Sequence, residues 1–142
     1  MVDTGMGMNE PVFIEPLFQK DRGDCAICCL VMLLGKTYPE IVAVAPPKAV
    51  TQGMWLKEII AVALRLGTKL KRIQKFDLHE SIGIMSLTPV PTHNGKVRRD
   101  AHVALLLEGK VYDPLAGRLW LDVDVFLQQE RYTVSSLLVR ED

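Results

Sequence analysis

The chain has no excess of either charge. Lys plus Arg and Asp plus Glu number 17 each among 142 residues. That balance supplies no electrostatic footprint for nucleic acid or an anionic membrane surface. Long hydrophobic runs are absent too. The longest unbroken apolar stretch is Cys25 to Leu34, ten residues, too short to span a bilayer. Met1 to Glu10 lacks a basic start and an apolar core, so no signal peptide is expected. Only three cysteines occur, all between Cys25 and Cys29. An odd, clustered set is not a disulfide framework, and a reducing, cytoplasmic setting is the expectation. There is no internal repeat, no low-complexity stretch and no linker long enough to separate domains.

What is present is ordinary for a globular domain: 49% hydrophobic and 24% charged residues. A chain of this length buries roughly two-thirds of its unfolded surface and needs no staple. Residues 1–10 read as a frayed tail and 11–142 as one domain. Asp24 before Cys25 reads as an N-cap and Gly35 as a helix stop, so Cys25 to Leu34 is expected to be a buried helix. A short helix follows from Tyr38 to Ala45, stopped by Pro46-Pro47. Met54 to Leu66 carries its apolar residues mostly on one face and ends at Gly67, a further helix.

From Thr68 the texture changes to strands. Lys69 to Phe76 alternates and suggests an edge strand, and Ser86 to Val90 a short one. His102 to Leu107 and Lys110 to Asp113 form a hairpin about Glu108-Gly109. Leu119 to Leu121 and Tyr132 to Val139 are further strands, with a short helix near Val123 to Gln129. Helices first and strands later predict an α+β fold, with N-terminal helices packed on a C-terminal antiparallel sheet.

Cys25 falls in the first turn of its helix. Free amide N–H groups and the positive end of the helix dipole there favour a thiolate, the nucleophilic form. From position alone, two readings of Cys25 stand side by side: nucleophile, or small core residue. Cys28 and Cys29 read as core. Of the three histidines, His79 lies in a polar Asp-Leu-His-Glu stretch and His93 in a turn signature. His102 begins an apolar strand, where an imidazole is either fixed at the strand mouth or hydrogen-bonded in the core. If Glu108-Gly109 is a two-residue turn, Leu107 pairs with Lys110 and Ala104 faces Asp113. His102 then lies diagonal to Asp113 on one face, roughly 7–8 Å away at the backbone. A carboxylate there holds the ring's tautomer. A three-residue turn would break this parity. Gln19, six positions before Cys25, brings a side-chain amide of the kind that donates to an oxyanion.

The string Gln19-Lys20-Asp21-Arg22-Gly23-Asp24-Cys25, with the apolar helix after it, resembles the active-site segment of the double-glycine leader peptidases. These are papain-like cysteine peptidases found at the front of bacteriocin-exporting ABC transporters, with free-standing relatives. The family pattern continues with a histidine leading an apolar strand and an Asp-Pro, here His102-Val103-Ala104-Leu105 and Asp113-Pro114. Val103 stands where an aromatic often follows the family histidine. The chain stops at Asp142, without transporter segments, which points to a free-standing member. The resemblance spans roughly Phe18 to Val139. It implies a papain-like fold and amide hydrolysis through an acyl-enzyme, with no cofactor and no metal. Cys25 would be nucleophile, His102 base, Asp113 the residue orienting the base, and Gln19 the oxyanion donor. The partner would be a peptide or protein substrate, with no nucleic acid and no membrane span.

Other readings remain at this stage. Cys25-Ala26-Ile27-Cys28 is a C-x-x-C at a helix start, as redox proteins use. A zinc site from cysteines within one helical turn does not resemble two knuckles. The same site in a transferase would pass the acyl group to an amine, and an idle relative would only bind peptide.

Overall fold

The structure, a computed structural model, describes residues 24–91, 102–114 and 118–141. The expected tail at 1–10, Gln19 and His93 lie outside the described residues.

Helix α1 runs over Cys25–Leu34, and eight of its side chains are buried, from Ala26 through Leu34. A helix apolar on nearly every side belongs inside a fold, and α1 is the central element of the larger core cluster. Gly35 ends it in the left-handed conformation, φ 71°. Asp24 does not cap it with its side chain, against expectation. The carboxylate instead accepts a hydrogen bond from the Tyr38 hydroxyl, Oδ2 to Oη 2.6 Å.

Helix α2 covers Tyr38–Val44, capped reciprocally by Thr37 and Glu40. A 3₁₀ turn at Pro47–Ala49 follows. Helix α3 is Leu56–Arg65, two residues shorter at its start than its apolar pattern predicts. Glu58 explains this: its carboxylate accepts from the Trp55 amide at 2.8 Å and fixes the helix start there. Trp55 is 70% exposed and does not join the apolar face.

Among the described residues six strands form one antiparallel sheet: β1 Leu70–Ile73, β2 Ile82–Pro89, β3 His102–Leu107, β4 Lys110–Asp113, β5 Arg118–Trp120 and β6 Tyr132–Arg140. Their order is β1-β6-β2-β3-β4-β5, which makes β1 an edge strand as expected. β1 is shorter than its alternating pattern and β2 longer than its sequence suggests. β2 lies between β6 and β3 and packs on both faces, so it has no polar alternation to read. Helix α4, Val123–Glu130, fills the segment between β5 and β6.

Alternate residues of β3 point to opposite layers. Val103 and Leu105 enter the cluster with α1, α2 and α3. Ala104 and Leu106 enter a second cluster with Val123 and Phe126 of α4. The sheet is thus covered on both faces, and β3, inside the sheet, contributes to both layers. Among the described residues no single helix is long and apolar enough to cross a membrane.

Candidate active site

The β3–β4 hairpin places two of the sequence-selected residues. Glu108 and Gly109 both take positive φ, 50° and 88°, the geometry of a two-residue hairpin turn. Leu107 then pairs with Lys110 and Leu105 with Tyr112. This register puts Asp113 opposite Ala104 and diagonal to His102, the parity predicted. The side chains close the remaining gap. His102 Nε2 lies 2.7 Å from Asp113 Oδ1, and the pair is almost wholly buried, at 8% and 2% side-chain exposure. Of the two readings open for His102, fixed at the strand mouth or hydrogen-bonded in the core, its 8% exposure and bond to Asp113 agree with the enclosed, hydrogen-bonded one.

Cys25, at the first position of α1, also interacts with the ring. With Nε2 committed to Asp113, Nδ1 is the nitrogen left for the sulfur. Burial works against a charged imidazole here. The hydrogen bonds to Asp113 and Cys25, reinforced by the charges of both, outweigh it and raise the His102 pKa from 6.5 to about 9. The arrangement therefore holds a protonated imidazole between Asp113 and the Cys25 sulfur at neutral pH.

The three cysteines differ sharply. Cys25 is partly exposed, whereas Cys28 and Cys29 are fully buried. Burial pushes the Cys29 thiol well above its ordinary range, and Cys25, Cys28 and Asp113 nearby push it further. Such a thiol stays protonated and inert. His79 is engaged elsewhere, its Nε2 2.9 Å from Asp124 Oδ2 on the surface. Among the described residues no group of three or more His, Cys, Asp or Glu is arranged to hold a metal ion.

Two residues around the site were not singled out from sequence. Tyr38 holds the buried Asp24, immediately before Cys25. Tyr132, the first residue of β6, stacks on the His102 ring with centroids 5.9 Å apart and planes at 27°. A tyrosine opening a strand carries no local mark of such a partner; only the sheet order brings them together.

No protein-family model and no curated protein matches the chain. Among solved structures, it is similar to the peptidase domain of Streptococcus ComA, a bi-functional ABC transporter involved in a quorum-sensing pathway. The match has a TM-score of 0.56 at 15% sequence identity and covers 89% of this chain and 98% of that one. At that identity the likeness speaks for the fold alone, which is α+β with the helices packed on an antiparallel sheet, as in that peptidase domain.

Proposed function

We propose that the protein is a cysteine peptidase that cleaves an amide bond through an acyl-enzyme, with Cys25 as nucleophile, His102 as acid and base, Asp113 orienting His102, and Gln19 donating to the oxyanion. The observation that carries this reading is His102 held at 2.7 Å by Asp113, with Cys25 interacting with the same buried ring. The ComA peptidase-domain fold supports the reaction class.

The chemistry follows from those positions. The Cys25 proton resides on His102 Nδ1, and the sulfur attacks the scissile carbonyl carbon. The carbonyl oxygen becomes an oxyanion, which takes hydrogen bonds from free N–H groups at the start of α1 and from the Gln19 amide. His102 then gives its proton to the leaving amine, the C–N bond breaks, and a thioester remains on Cys25. Water attacks the thioester while His102 takes its proton. The acid leaves, and Cys25 regains its starting form. Asp113 keeps Nε2–H occupied throughout, so Nδ1 always faces the sulfur. The double-glycine resemblance supports a leader-type peptide as the substrate class.

A peptide library incubated with the protein, with products read by mass spectrometry, tests the reading. Cleavage by the wild-type chain and none by Cys25→Ala is the expected result. No cleavage by the wild-type chain, or identical products from Cys25→Ala, contradicts it.

A further inference from the structure

We infer that Tyr132 is a positioning residue for the proposed hydrolysis: its ring fixes the plane of His102 and shields the His102–Asp113 hydrogen bond from water. This rests on the reading of His102 as acid and base.

Several features of the fold place Tyr132 there. Helix α4 ends at Arg131, which adopts the left-handed conformation at φ 61°. A residue with a side chain enters that region only at some cost. The turn is held by the Arg131 carbonyl, which accepts from the Val90 amide at 2.8 Å. Tyr132 follows at once and pairs with Pro89 of β2. It is 3% exposed. One side of its ring meets His102. Phe126 of α4 stacks on it as well, with centroids 6.0 Å apart and planes at 25°, and Trp120 packs edge-on against Phe126 at 5.6 Å. The imidazole is therefore backed by a ladder of three aromatic rings from β6, α4 and β5.

The other side of this wall opens on the surface. A hollow of about 440 Å³ there is lined by Val90, Asp124, Leu127, Gln128, Arg131 and Tyr132. Tyr132 thus touches both the hollow and the imidazole, and shortening it opens a route for water to a hydrogen bond that is now dry. Water weakens such a bond by competing for both partners and raising the local dielectric constant. The aromatic face also favours the charged ring directly.

Among the described residues, Asp113 faces His102 from β4, Cys25 from α1 and the Tyr132 ring from β6, while Leu87 opposite it on β2 and Phe126 behind Tyr132 on α4 are apolar. Asp124 of α4 lines the hollow beside Tyr132 but pairs with His79, so among these groups Tyr132 is the contact whose loss changes the imidazole's titration.

The test needs no substrate. The rate of Cys25 alkylation by iodoacetamide, followed against pH, has an alkaline step where the imidazolium beside the sulfur loses its proton. Four variants of the full chain are compared with wild type: Tyr132→Leu, Tyr132→Met, Tyr132→Phe and His102→Ala. Met fills much of the same volume flexibly and keeps the test open if Leu fails to fold, which circular dichroism reports. The step should move to lower pH in Leu and Met and return to the wild-type position in Phe, whereas His102→Ala should lose the neutral-pH reactivity and show only the rise of an ordinary thiol, at about pH 8.5. A wild-type profile in a folded Leu or Met variant, with the step lost in His102→Ala, overturns the role of Tyr132 and leaves the proposed hydrolysis standing. A wild-type profile in His102→Ala overturns both.

Discussion

His102 Nε2 and Asp113 Oδ1 lie 2.7 Å apart on neighbouring strands because a two-residue turn at Glu108-Gly109 makes their positions diagonal. The His102 pKa of about 9 follows from that contact together with the Cys25 hydrogen bond, both working against burial. The folded ring holds its proton more tightly than the unfolded reference at 6.5. The resulting stabilisation is fully present below pH 6.5 and is lost as pH rises through about 9. The melting temperature should therefore fall across that window, and Asp113→Asn should flatten the fall. Calorimetry at a series of pH values checks this; an equal slope in both proteins contradicts it.

Asp113→Asn should also retain more turnover than His102→Ala. An amide oxygen still accepts from Nε2–H and orients the ring, although its charge is gone. His102→Ala removes the acid and base, a loss of about 10²–10⁴-fold. Steady-state rates on the best-cleaved library peptide give the comparison, and an Asn variant as inactive as the Ala variant contradicts it.

The thiols should react very unequally. Brief iodoacetamide treatment near neutral pH should label Cys25 and leave Cys28 and Cys29, which are 0% exposed. Peptide mapping reads the outcome. Preferential labelling of Cys28, or a stable Cys25–Cys28 disulfide under mild oxidation, would favour the redox reading instead.

Gln19→Ala should lower turnover by about 10²–10³-fold, the effect of losing one oxyanion donor. Cys25 should still alkylate, because its reactivity does not depend on that amide. Unchanged turnover would remove Gln19 from the site.

Tyr38→Phe should destabilise the fold by about 1.5–3 kcal/mol, since Asp24 is fully buried and its carboxylate loses a hydroxyl donor at 2.6 Å. Urea denaturation measures it. A change within error would show that Asp24 is supported by its other contacts.

Much of this architecture was legible because its signals are local. The β3–β4 register depends on two turn residues, and α1 is bracketed by Asp24 and Gly35. Tertiary context decided what was not legible. Asp24 looked like an N-cap, but its carboxylate turns to Tyr38. Trp55 counted as apolar in the pattern of α3, yet Glu58 starts the helix after it and leaves it exposed. β2 packs on both faces through Ile84 and Met85, so it shows no alternation. The hairpin parity that sets His102 against Asp113 was readable from the turn, and Cys25 adjoins the same ring. The stacking of Tyr132 on His102 comes from distant strands meeting and has no sequence signal.

The central claim is that Cys25 is a nucleophile armed by His102. Its most direct measurement is intact-mass analysis after incubation with a peptide carrying an electrophilic terminus. The account predicts a single adduct on the wild-type chain, none on Cys25→Ala, and slow formation on His102→Ala. Equal labelling of wild type and Cys25→Ala, or a wild-type rate in His102→Ala, would contradict it.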